Sequence, residues 1–150
     1  MKFEKFNILE HIPHRFPYRF IDSISEVSDN HIVGFCCLNE ESFFYQGHFF
    51  ANPITPGFII TEIMAQIGIL GLGLYLNKKN IADVKSAFLT TADVKFYNIS
   101  YPGDNIRVVS NLIYYKFNNI KCNISAHNQD GILICKGIFS GVVKLYIEEK

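Results

Sequence analysis

An α+β fold, an antiparallel sheet wrapped around one long helix, is what this sequence predicts, and three observations carry it. From Phe58 to Leu76 only Thr61, Glu62, Gln66 and Tyr75 bear side-chain polar groups, so the longest apolar element is apolar on every face. Around it lie six segments of strand character, two before and four after. Short turn signals, Ser28-Asp29-Asn30, Pro102-Gly103-Asp104, Asn118-Asn119 and Asp130-Gly131, separate most of those strands. A helix without a polar face is buried in a core or in a membrane. A β-β-α-β-β-β-β order lets an antiparallel sheet supply that core.

The elements follow in order. Phe3, Phe6, Ile8, Leu9 and Ile12 suggest one or two helical turns ending before Pro13. Tyr18–Val27 and His31–Leu38 read as strands. A loop crowded with Phe43, Phe44, Tyr45, Phe49 and Phe50 comes next. Thr55 then Pro56 reads as an N-cap and a first-turn proline, opening a helix over Thr55–Leu76 that Asn77-Lys78-Lys79-Asn80 closes. Val84–Phe96, Asn105–Phe117, Ile120–His127 and Ile132–Ile147 read as strands; Ile120, Cys122, Ile124 and Ala126 alternate with polar residues in the half-buried pattern. No repeat or linker interrupts the chain, so residues 1–150 are expected to form a single domain. Edge strands of such a sheet are expected to pair across a dimer.

Composition narrows the function. Lys+Arg and Asp+Glu both number 14, with pI near 6.9, which demotes nucleic-acid and anionic-membrane binding. Twenty-two aromatics without tryptophan are a heavy apolar load, part of which is expected to face another subunit. The start lacks a signal-peptide stretch, and Cys36, Cys37, Cys122 and Cys135 form no C-x-x-C pair. Buried, reduced thiols in a cytoplasmic protein are expected. A membrane span over the apolar helix is rejected because Glu62 would cost roughly 2.5–3.5 kcal/mol there.

Chemistry concentrates between Gln46 and Gln66. A carboxylate at Glu62, alone among apolar residues, is expected to stay neutral and to serve as a proton donor. Gln66, one turn on, is placed to orient it; an interface pairing of Glu62 with Gln66 is the alternative. His48 is the default base near neutral pH. The helix start offers unpaired amides to a carbonyl oxygen gaining charge, and Gly57 leaves its amide approachable. A base, a neutral acid and an oxyanion-binding amide suit elimination of water from a 3-hydroxyacyl thioester. His11 and His14 lack the further ligands a metal site needs.

These residues resemble the FabZ-type 3-hydroxyacyl-[acyl-carrier-protein] dehydratases, which have the hotdog fold. Pro13-His14-Arg15-Phe16-Pro17 is similar to that family's N-terminal signature. Gly47-His48-Phe49, Pro53, Pro56-Gly57, Glu62 and Ala65-Gln66 resemble its active-site block, including the fourteen-residue separation of His48 and Glu62. Lys95-Phe96 and Pro102-Gly103-Asp104 match later parts. The resemblance implies that His48 removes the α-proton and Glu62 protonates the leaving hydroxyl. Gly57 would polarise the carbonyl, with Gln66, Phe49, Phe50 and Pro53 at the substrate. It further implies a substrate on the phosphopantetheine of an acyl carrier protein, with no metal or organic cofactor. Each site would draw its His and Glu from two protomers of a homodimer, a trimer of dimers, or a pair with a related hotdog subunit. Lys78, Lys79, Lys85, Lys95 and Lys116 are candidates for carrier docking. Phe50-Ala51 replaces the family's usual Pro-Gly and Tyr97-Asn98 its basic residues, which points to an altered tunnel mouth, a dedicated carrier and a polyene-type pathway beside ordinary fatty acid synthesis. Two rivals are a hotdog thioesterase, against which His48 argues, and a non-catalytic carrier-binding subunit.

Overall fold

In the computed structural model, which describes residues 6–145, six antiparallel strands form one sheet. They are β1 (Ser23–Val27), β2 (His31–Cys37), β3 (Val84–Phe96), β4 (Asn105–Lys116), β5 (Asn119–His127) and β6 (Leu133–Leu145), in the spatial order β1-β2-β4-β5-β6-β3. The apolar helix Gly57–Leu76 lies against the sheet's inner face; 78% of its most apolar eighteen residues are buried. That burial explains why it lacks a polar side: Ile63, Met64, Ile67 and Leu72 meet Ile32, Ile106, Ile120, Ile124 and Phe139 in one core. The fold is the hotdog arrangement that the sequence predicts.

The helix is not uniform. It runs as α1 (Gly57–Ala65), a π-type segment (Gln66–Gly71) and α2 (Leu72–Leu76). At Gly68 the sheet comes so close that a Cβ would sit 2.5 Å from Ile124 Cδ1 and 3.1 Å from Ser110 Cβ, so any side chain there would force its neighbours to shift. In β5, Ile120, Cys122, Ile124 and Ala126 face inward as their alternation predicts. By contrast β3 is an edge, a thirteen-residue strand paired on one side only, with Phe88 and Leu89 exposed.

Several expected boundaries move. The N-terminal turn is a short 3-10 helix, Ile8–His11, capped by the Asn7 side chain on Leu9 N; the expectation's start at Phe3 lies outside the described residues. Tyr18–Asp22 is not strand. The Tyr18 carbonyl and the Phe20 amide are taken by the Gln66 side chain, which leaves them none for a ladder. Thr55 is not the N-cap of the helix. Pro56 holds that place, because the Thr55 hydroxyl is shared between Tyr45 Oη at 2.7 Å and Ser100 Oγ at 3.2 Å. The β4–β5 turn is Phe117-Asn118, both with positive φ (50° and 61°), one residue before the expected pair. Ile147, the expected end of the last strand, is outside the described residues. Cys36, Cys122 and Cys135 are buried, and burial pushes the Cys36 thiol up to about 12; Cys37 is exposed, contrary to the expectation for all four.

Candidate active site

The site is assembled where the aromatic loop enters the helix. Thr55 N–H donates to Ser100 O (2.8 Å), and the Tyr45–Thr55–Ser100 hydroxyl chain ends on Asp104 Oδ2, 3.3 Å from Ser100 Oγ. Asp104 also accepts from Tyr101 N–H and the Gln129 amide, so this buried network fixes the helix start to the β3–β4 loop. Burial pushes the Tyr45 hydroxyl up to about 12, so it stays a neutral member of that chain.

His48 precedes the helix in a tight turn. Phe49 N–H and Asn52 N–H exchange bonds with each other's carbonyls, and Ala51 adopts φ 58°. That left-handed conformation costs a side chain about 1–2 kcal/mol, which accounts for glycine at the corresponding place in the pattern that this chain resembles. The His48–Phe49 peptide is cis. The His48 ring stacks on Phe49 with centroids 4.0 Å apart, and Nδ1 donates to Ile54 O at 3.0 Å. A proton committed to that carbonyl leaves Nε2 as the basic nitrogen.

Glu62 lies in the second turn of α1. Its Oε1 accepts from Gln66 Nε2 at 2.9 Å, as the one-turn spacing predicts. Gln66 is buried, and its amide also donates to Tyr18 O (3.0 Å) and accepts from Phe20 N–H (2.7 Å). Through those bonds Gln66 ties Glu62 to the backbone of the 13–20 loop. Nor is Glu62 as isolated as its helix suggests. It is half-buried, and His14 Nε2 lies 3.9 Å from Oε1, reaching in from a loop forty-eight residues earlier. Burial first, and the Glu62 charge second, push the Tyr18 hydroxyl up.

Gly57 is the first helical residue, and the first amides of a helix have no carbonyl behind them. A Cβ at this position would lie 2.9 Å from the tip of the Phe96 ring, so glycine here lets β3 close over the backbone. Phe49, Phe50, Phe58 and Pro53 are exposed on the single chain. Within one chain His48 and Glu62 are not bonded to each other; each is oriented by its own partner. His11 stacks on Phe6 while His14 turns to Glu62, so the two histidines share no ligand geometry. The candidate docking lysines come from several elements. Lys95 precedes Phe96, whose ring tip abuts Gly57 at the helix start, whereas Lys78 and Lys79 follow the helix end.

Comparison with known proteins places these features. The FabA-like domain family matches residues 12–136. The 3-hydroxyacyl-[acyl-carrier-protein] dehydratase FabZ of Acinetobacter baumannii is 37% identical over 131 residues, covering 84% of this chain and 86% of that protein. Among solved structures, the dehydratase heterocomplex ApeI:P from Xenorhabdus doucetiae superimposes with a TM-score of 0.79 at 18% identity, over 97% of this chain and 95% of that one. A hypothetical thioesterase with coenzyme A from Streptococcus pneumoniae gives 0.60 at 16% identity, over 82% and 85%. The two structural likenesses establish the shared fold.

Proposed function

Because this chain belongs to the FabA-like domain family, we propose that it is a 3-hydroxyacyl-[acyl-carrier-protein] dehydratase that uses His48 as base and Glu62 as acid. The observation that carries the mechanism is the Nδ1–Ile54 bond, which leaves the His48 Nε2 lone pair for the substrate. Nε2 takes the α-proton, and the C–H electrons become the new double bond. The β-carbon–oxygen bond breaks as Glu62 gives its proton to the departing hydroxyl, so water leaves. Charge developing on the thioester oxygen is met by the Gly57 amide at the helix start. The step is acid–base chemistry and calls for no cofactor beyond the carrier's own phosphopantetheine.

A site of this kind is completed between two protomers, one giving His48 and the other Glu62. Support comes from the open edge of β3 and the exposed Phe88 and Leu89 on it, which a second hotdog chain would cover. That second chain is a copy of this one, or a related subunit of the kind the heterocomplex neighbour contains. Phe49, Phe50 and Pro53 then border the substrate's entry. The pathway is fatty acid synthesis or a polyene-type branch of it, and the setting is cytoplasmic.

Mass spectrometry of carrier-bound 3-hydroxyacyl chains of several lengths, saturated and conjugated, tests the reading. The expected product is the trans-2-enoyl thioester, with His48→Ala and Glu62→Gln each lowering kcat by about 10²-fold or more. Thiol release faster than enoyl formation, or undiminished dehydration by both variants, overturns it.

A further inference from the structure

Among the described residues, two histidines carry a buried Nδ1 with no hydrogen-bond partner, His14 and His127, and of these His14 faces a group of the proposed site. A neutral imidazole bears its proton on one nitrogen. An N–H buried without an acceptor costs about 1–3 kcal/mol, so in His14 the proton belongs on Nε2. That nitrogen lies 3.9 Å from Glu62 Oε1, the same oxygen that accepts from Gln66 Nε2 at 2.9 Å. One donor is thus bonded to this carboxyl oxygen, and a second nitrogen from a distant part of the chain stands about 1 Å beyond hydrogen-bond distance on the same oxygen. Among the described residues none is directed at Oε2.

We propose that His14 is a positioning residue which, with Gln66, makes Oε1 the accepting oxygen of Glu62 and so keeps the acid proton on Oε2, the oxygen that meets the substrate hydroxyl. When that proton leaves, the C–O bond of the substrate breaks, water departs, and the negative charge left on Glu62 is shared with Oε1. A shift of about 1 Å brings His14 Nε2 into a charge-assisted hydrogen bond with it. The loop that carries His14 is held for this task. Gln66 clamps its backbone at Tyr18 and Phe20, and Arg15 Nη1 donates to Ile12 O (2.7 Å) and to His14 O (3.0 Å). Among the described residues, the ionisable groups that face the His14 ring are Glu62 from α1 and Tyr18 from its own loop, whose ring centroid is 6.4 Å away, while Arg15 bonds the His14 carbonyl.

The inference rests on the dehydratase reading, and its test separates the two. Steady-state kinetics across pH, with melting curves, are measured for His14→Leu, His14→Gln and His14→Asn on a carrier-bound 3-hydroxyacyl substrate. Glutamine can place its amide nitrogen where Nε2 was; asparagine reaches only the Nδ1 position. His14→Leu and His14→Asn are expected to lose about tenfold in kcat with KM little changed, and His14→Gln to recover to within about threefold of wild type. If the leucine variant does not fold, the glutamine–asparagine comparison decides. Equal kcat in those two overturns the role of His14 while leaving an active wild type as a dehydratase. A wild type that forms no enoyl product overturns the function itself.

Discussion

Replacing Gln66 with leucine removes three hydrogen bonds while roughly keeping the volume that fills the core. The Phe20 N–H is the costly loss, because Phe20 is buried and its amide has no water to turn to. A stranded buried donor is worth about 1–3 kcal/mol. The Tyr18 carbonyl belongs to an exposed residue and can be hydrated, adding roughly 0.5–1 kcal/mol. Together the change is about 2–4 kcal/mol, which lowers Tm by roughly 5–10 °C in a chain of this length. Calorimetry reads that part. Kinetics reads the other, because the same amide holds Glu62 Oε1: kcat should fall about tenfold or more with a smaller change in KM. A melting point within about 1 °C of wild type would refute the clamp. A destabilised variant with full kcat would refute its link to Glu62.

Two further outcomes follow from the fold. Gly68→Ala pushes a methyl group against Ile124 Cδ1 at 2.5 Å and Ser110 Cβ at 3.1 Å, both on buried residues, so urea denaturation should show a loss of about 1–3 kcal/mol. Unchanged stability would mean that helix and sheet part easily there. Burial, and then the Arg107 charge, hold the His127 imidazole below its ordinary value of 6.5, so as pH falls below that value the unfolded chain takes up a proton that the folded chain does not. Stability from this group is present above pH 6.5 and is lost as pH drops. Melting curves of His127→Leu should therefore fall less steeply on acidification than those of wild type.

What could be read from the sequence was whatever a local pattern determines. Period-two alternation placed β5, and the unbroken apolar run placed the central helix, because burial on one face or on all faces is written in neighbouring residues. The stretch Tyr18–Asp22 was misread for the opposite reason. Its aromatics look like strand, but its backbone groups are claimed by Gln66, more than forty residues away. Thr55-Pro56 is a sound capping signal that lost to Tyr45 and Ser100, which compete for the same hydroxyl from ten and forty-five residues off. In the site, the one-turn spacing of Glu62 and Gln66 was legible. The approach of His14 to Glu62 was not, since nothing local to Pro13-His14-Arg15 says which way the ring turns.

The π-type segment Gln66–Gly71 is a wide turn inside one continuous helix. Removing one residue between Ile67 and Leu70 would restore ordinary α-helical winding. Leu72–Leu76 would then keep nearly the same bearing around the axis and move only along it, because the wider π turn sweeps with one extra residue the angle that ordinary α-helix sweeps without it. The wide turn thus absorbs an extra residue locally, and the two ends of the helix keep the faces that pack on the sheet.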